Sequence, residues 1–253
     1  MWEFNAWLEA QEGAAAERVR FDGAPYGNAQ LTLDARSTSP AASLNHNRIS
    51  ICGTDGGLTA QGLRDILAQF WRSEIPRLFL WLSPGPGMQE AREWIGELGG
   101  KRVPWTRYPT LLHGGDAAPS RASGFVIREA GVAAFTSAQE ALGDSVFGGF
   151  ARTLEKPGFH HFIAYDGARP IAAAALVKQD ELGYLTWAGT IESERGRGAQ
   201  TALIAHRVAL AQSLGCTRIV SQTLTLLEHS LSNLRRAGFR EIYETEVYEF
   251  RRD

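Results

Sequence analysis

Residues 195–200, Arg195-Gly196-Arg197-Gly198-Ala199-Gln200, stand between a strand-like run, Tyr184 to Ile191, and a helix-like run, Gln200 to Leu214. That order predicts an anion cradle. A strand, a glycine-rich turn and a helix N-terminus aim unpaired backbone N–H groups and the positive end of the helix dipole at one point, which suits a pyrophosphate. Gly196 and Gly198 let the backbone come close to such a ligand. No Lys-Ser or Lys-Thr follows the glycines as in a P-loop, and the third glycine of a dinucleotide fingerprint is missing.

The same six residues resemble the Arg-x-x-Gly-x-Gly/Ala loop of the GCN5-related N-acetyltransferase (GNAT) superfamily. Gln200 stands where glycine or alanine is usual, although a subgroup with an additional N-terminal domain is similar to the Arg-Gly-x-Gly-Ala-Gln-x-Ala-Leu pattern seen here. Downstream, Ser230-Leu231-Ser232-Asn233-Leu234-Arg235-Arg236-Ala237-Gly238-Phe239 resembles the second signature of the superfamily, a helix ending in Gly-Phe before the last strands. The resemblance covers roughly residues 124–252. It implies an α/β (α+β) fold, with a mixed, mostly antiparallel central sheet flanked by helices, and acetyl-CoA as co-substrate. Gly196, Arg197, Gly198, Ala199, Gln200 and Thr201 would then hold the pyrophosphate. Ala188, Gly189 and Thr190 would bond the pantetheine arm where the strands equivalent to Tyr184–Ile191 and Thr217–Leu224 splay apart.

The implied chemistry is direct acyl transfer from a thioester to an amine. The amine must lose a proton, the oxyanion needs a donor, and the thiolate leaving group benefits from an acid. Where the superfamily often has a tyrosine as that acid, four residues before Gly238, this chain has Leu234. Ser230 and Asn233, three apart and so on one helix face, are the candidates to replace it, Asn233 being the better and also a coenzyme contact. Glu192, with Glu194 beside it, is the candidate base at the end of the strand before the cradle. His160 and His161 are alternatives, of which at most one faces a cleft because adjacent strand residues point to opposite sides. Tyr184 and Trp187 are read as core packing ahead of an acceptor pocket.

A chain of 253 residues is long for one such domain and comfortable for two. Lys and Arg total 26 against 28 for Asp and Glu, a net charge of −2 that argues against general attraction to nucleic acid or anionic membranes. Cys52 and Cys216 make no metal-type spacing and read as buried, reduced thiols of a cytoplasmic protein, with no metal expected. Met1 to Ala10 mixes Trp2 with Glu3, Asn5 and Glu9, so neither a secretion signal nor a membrane span is expected.

Taken in order, Trp2 to Val19 reads as a helix and Phe21 to Leu44 as mostly irregular, with a short strand at Gln30 to Leu33. A strand at Arg48 to Cys52, a helix from Thr59 to Ser73, a strand at Arg77 to Leu82, a helix from Met88 to Leu98 and a strand near Thr106 to Leu112 come next. This order recurs from Tyr184 to Phe250, with Gly99-Gly100 standing where Gly238-Phe239 stands. Residues 1–115 are therefore read as a degenerate GNAT-like copy, whose turn carries Asp55 where an anion would sit, and 116–253 as the acetyl-CoA-binding domain. His113 to Gly124 reads as the linker. In the second domain, Phe125 to Arg128 reads as a strand, and Ala133 to Leu142 and Ser145 to Leu154 as helices. Strands His160–Tyr165 and Pro170–Val177 flank an Asp166-Gly167 hairpin turn, and Phe239 to Arg251 closes the chain as a strand or hairpin. The expected protein is an N-acetyltransferase acting on a primary amine of a small molecule or peptide, a monomer or homodimer that binds neither nucleic acid nor membrane. The alternative is a non-catalytic acyl-CoA-binding sensor or scaffold.

Overall fold

The computed structural model describes residue 8 and residues 17–37, 43–44, 46–51, 57–105, 107–115, 124–142 and 148–252. Trp2, Cys52, Asp55, the body of the linker and the start of the helix expected at Ser145 lie outside the described residues. The chain forms two compact units, Met1–Tyr108 with Tyr243–Asp253, and Pro109–Ile242.

The first unit contains strands β1 (Glu17–Phe21), β2 (Ala29–Leu33), β3 (Arg48–Ile51), β4 (Arg77–Leu82) and β5 (Lys101–Arg102), helices α1 (Ala60–Arg72) and α2 (Met88–Glu97), and the end of β12 (Phe239–Arg251). The sheet order is β1-β2-β3-β4-β12, with β5 on β12. β3 and β4 run parallel and the other pairs antiparallel, since the crossover through α1 returns the chain in the same direction. The 3.6-residue spacing of Leu63, Ile66, Leu67 and Phe70 puts them on one face of α1, buried with Leu31, Ile49, Leu80 and Phe250. Each contributes about 1.5–3 kcal/mol relative to exposure. Thr59 caps α1, its Oγ1 accepting from the Gly62 N–H at 3.1 Å.

Glu17 to Val19 belong to a strand and not to the helix expected there. Residues 17–21 pair with β2 in the register Glu17↔Leu33 to Phe21↔Ala29, and this pairing with a buried strand outweighs local helical spacing. The closing segment is one 13-residue strand with no hairpin. Its Glu246 is buried and takes a bidentate pair from Arg92 (2.9 and 3.0 Å) and the Tyr248 hydroxyl (2.7 Å). Burial raises its pKa, but these donors and nearby Arg102 outweigh that and hold the carboxyl below its ordinary value.

The second unit contains β6 (Tyr108–His113, from Pro109 onward), β7 (Val126–Glu129), α3 (Val132–Leu142), α4 (Gly148–Thr153), β8 (Phe159–Asp166), β9 (Arg169–Gln179), β10 (Leu182–Thr190), α5 (Ala199–Ser213), β11 (Arg218–Gln222) and α6 (Glu228–Arg236). The order β6-β11-β10-β9-β8-β7 is antiparallel except for β10–β11. Ile171 to Val177 is buried throughout, as a central strand covered on both faces must be. Ala172 and Ala174 pack with α5 and α6, through Leu203, Ile204, Val208, Leu231 and Leu234, while Ala173 and Ala175 pack with Phe135 and Ala138 of α3. Cys216 is a free, buried thiol in the first of these clusters.

This grouping differs from a division at residue 115. The strand after α2 pairs with β11 of the second unit (Thr110↔Gln222 to Leu112↔Val220), and the strand after α6 ends on β4 of the first (Glu246↔Leu82 to Arg251↔Arg77). Each half of the sequence thus lends its last strand to the other unit. A fragment 116–253, stripped of β6, is expected to aggregate or show no cooperative melt by circular dichroism, because the β11 backbone and Gln222 lose their partners. A sharp melt for that fragment would show that β6 is dispensable.

Candidate active site

The ladder between β10 and β11 covers only Leu182↔Arg218 to Leu185↔Ser221. Beyond Leu185, β10 keeps its antiparallel partner β9 but has no further ladder with β11 among the described residues, so the two strands part where the resemblance implies. At that point Ser221 Oγ donates to Leu185 O (2.9 Å), Tyr184 OH to Gln222 Oε1 (3.2 Å), and Gln222 Nε2 to Thr110 Oγ1 (2.8 Å). Tyr184 is buried, whereas Trp187 is half-buried and adopts φ +44° where the β9–β10 register shifts between Thr186 and Gly189. Such a φ is an outlier for a bulky side chain and clusters at functional sites.

Glu192 to Glu194 form a single 3₁₀ turn after β10, and Gly198, at φ +92°, is the N-cap of α5. The helix starts without a side-chain cap, so its own cap residue leaves the first-turn N–H groups to a ligand. An added Cβ at Gly196 or Gly198 would meet no atom within 4 Å: the space in front of the loop is open and the glycines are required by their left-handed backbone, φ +79° and +92°. Ala199 is buried and Thr201 half-buried in the first turn. Gln200 turns its side chain back to β10, with Nε2 donating to Gly189 O (2.8 Å) and Thr190 Oγ1 (3.0 Å), and so ties the two candidate coenzyme segments together.

The carboxylates divide sharply. Glu192 is exposed, 3.9 Å from Arg195. Glu194 is buried and accepts from Arg169 (2.5 Å) and from Arg197, whose other nitrogen reaches Asp166 at 2.7 Å. Hydrogen bonds from Arg197, then Arg169, hold Glu194 below the usual carboxylate range. It is a clamp that fastens the cradle to the β8–β9 hairpin, a role its position in a polar loop did not advertise. Arg197, expected to face the coenzyme, turns its guanidinium to this clamp.

His160 Nδ1 lies 2.8 Å from Glu129, while His161 is buried with Nε2 3.2 Å from Thr153 Oγ1. Burial pushes His161 down to about 4, so it is neutral at pH 7. On α6, Ser230 and Asn233 are half-buried, and Asn233 Oδ1 accepts from Arg236 (2.5 Å), leaving its amide NH₂ to offer. Leu234 is buried in the core beside Leu231.

Because the Glu194 pKa is depressed in the folded state, its contribution is complete above its ordinary value of 4.5 and is lost as the pH falls through the lowered one. Glu194→Gln is expected to lower the thermal midpoint at pH 7 and to flatten the acid decline of that midpoint below pH 4.5. Parallel midpoint-versus-pH curves for the two proteins would remove the clamp.

The family model of the acetyltransferase (GNAT) family matches residues 127–239. A search among curated proteins found no match. Among solved structures, the chain is similar to a GCN5-related N-acetyltransferase from Kribbella flavida, with 16% identity, 98% of this chain and 94% of that one covered, and TM-score 0.66. It is also similar to a GCN5-related N-acetyltransferase from Sphaerobacter thermophilus (14%, 98% and 85%, 0.63). A third is a tandem GNAT protein from the clavulanic acid biosynthesis pathway (10%, 88% and 78%, 0.63).

Proposed function

Residues 127–239 belong to the acetyltransferase (GNAT) family, and from this we propose that the chain transfers an acetyl group from acetyl-CoA to a primary amine of a small molecule or peptide. The observation that carries the proposal is the uncapped, glycine-lined start of α5 set beside a strand whose ladder has just parted. Residues 196–201 hold the pyrophosphate through backbone N–H groups and the helix dipole. Ala188, Gly189 and Thr190 stand along the parted stretch of β10, where the pantetheine amides take the place of a missing strand partner. Acetyl-CoA supplies an acyl group already activated as a thioester.

With such a donor, positioning and a proton acceptor are what the protein adds. Glu192, exposed and only loosely paired with Arg195, is the carboxylate beside the cradle that can take a proton from the incoming amine, directly or through water. Asn233, with Ser230 one turn before it, can donate to the departing sulfur or to the coenzyme. Leu234 in the core favours a second reading, a coenzyme-binding sensor without catalysis. Thiol release from acetyl-CoA in the presence of pooled amines separates the two.

We read the first unit as a degenerate copy of the second. In support, β3-α1-β4 and β10-α5-β11 are both parallel crossovers beside an antiparallel strand, and α2 and α6 are both succeeded by a glycine at φ +88°. One CoA per chain is therefore expected by calorimetry, and two would refute the degeneracy. Acetyl-CoA and CoA are expected to raise the thermal midpoint, and a pantetheine fragment lacking the pyrophosphate to raise it far less. Gly198→Glu, which places a carboxylate in the cradle on an unfavourable backbone, should abolish the CoA shift while the protein still melts cooperatively. An undiminished shift would sink the cradle assignment.

A further inference from the structure

Building on the coenzyme site proposed above, we infer that Arg207 is a positioning residue that holds the β10 bulge in place, and that the pantetheine half of the site depends on it while the pyrophosphate half does not. Arg207 projects from α5 and heads the largest fully buried side chains of the described residues at 2% exposure. Its Nε donates to Leu203 O one turn back (3.0 Å), and its Nη1 to two strand carbonyls, Ala175 O on β9 (2.9 Å) and Thr186 O on β10 (3.2 Å).

Those two residues are register partners, the last before the β9–β10 ladder is interrupted; pairing resumes at Gly189↔Ala173. Trp187 and Ala188 together therefore stand opposite Ala174 alone, which is a β-bulge. A bulge takes regular ladder partners from nearby backbone groups, and a buried carbonyl left without a donor is destabilising. The guanidinium supplies N–H donors there. Its planar fork joins the Leu203 carbonyl of α5, through Nε, to the carbonyls of two neighbouring strands, both reached from Nη1, and a single ammonium group cannot bond all three with the same geometry.

An apolar side chain of similar volume would fill this space without desolvating a charge. Burial pushes Arg207 down to about 9, which still leaves it protonated at pH 7, so a buried cation is kept at the bulge and bonded to carbonyl dipoles. Trp187 secures the bulge within a different cluster, its ring stacked on Phe159 (6.2 Å between centroids, 14° between planes) and 6.0 Å from His161.

Without the guanidinium, β10 is free to relax toward regular pairing. That is a one-residue slip of Ala188–Thr190 against β9, and it turns every backbone group and side chain of the segment to the other face. Gly189 O and Thr190 Oγ1 would then leave Gln200, and the groups proposed for the pantetheine would be mis-aimed. The loop at 195–198 has its own anchor, through Glu194 to Arg169.

The test is calorimetric binding of ADP and of CoA to the full chain, as wild type, Arg207→Met and Arg207→Lys. ADP probes the pyrophosphate loop, and CoA adds the pantetheine arm. ADP affinity should change much less than CoA affinity, since Gln200 contributes its backbone N–H there and the loop keeps its Glu194 anchor. CoA affinity should fall about tenfold in Arg207→Met, as for the loss of one or two hydrogen bonds, and by a smaller factor in Arg207→Lys. A ratio of CoA to ADP affinity unchanged from wild type in the variants that fold overturns the inference, and Arg207→Lys alone decides it where Arg207→Met does not fold. Failure of the wild type to bind either probe would instead sink the coenzyme reading.

Discussion

A parallel ladder that stops after Leu185↔Ser221 leaves the rest of β10 with a partner on one side only. In a buried sheet that is a costly arrangement, because unpaired backbone groups need other donors and acceptors. The second unit meets the cost with side chains. Ser221 closes the end of the ladder, Gln200 reaches back from α5 to Gly189 and Thr190, and Arg207 takes the carbonyls at the bulge. What remains is an open strand edge leading to an uncapped helix N-terminus, and both present backbone groups rather than charged side chains. A ligand with amides at one end and phosphates at the other matches that sequence of groups.

Electrostatics around the cradle obey the same economy of side chains. Arg197 and Arg169 point at Glu194 and Asp166, so these cations are largely compensated within the protein. The positive end of the α5 dipole, which acts over the first turn only, is then the uncompensated positive potential of the loop together with exposed Arg195. The buried Glu194 fixes the loop in place. Glu246 plays a similar part in the first unit, where two arginines and Tyr248 hold a buried carboxylate on the last strand. In both places the buried acid is a strut, whereas Glu192 is exposed.

Much of this was legible in the sequence. Helices with an apolar stripe and a clear stop, Ala60–Arg72 and Ala199–Ser213, lie within a residue of where periodicity puts them, because burial and local spacing agree. Strand Arg77–Leu82, with its continuous apolar run Leu78 to Leu82, is buried along that run for the same reason. Strand Glu17–Phe21 was not legible, since its partner β2 decides its conformation and local spacing suggested a helix. Gly196 and Gly198, the glycines of the loop before α5, both take a positive φ that only glycine adopts without strain. The roles of Glu194, Arg197 and Arg207 were not legible. An ion pair to Arg169 or a carbonyl on β9 depends on which strands are neighbours, and no local pattern encodes that.

The exchange of final strands explains why a boundary drawn from composition misplaces the units. His113 to Gly124 has the glycine, proline and serine content of a linker, yet the strand just before it, Pro109–His113, belongs to the second unit. Composition reports where the chain can be flexible, whereas membership of a unit is set by pairing, here Thr110↔Gln222 to Leu112↔Val220. The same pairing brings Thr110 within hydrogen-bonding distance of Gln222, itself bonded to Tyr184 at the point where β10 and β11 part. A strand from the first half of the sequence thus helps to set the geometry of the site in the second. Sequence change in β6 therefore bears on the end of the β10–β11 ladder as well as on the core.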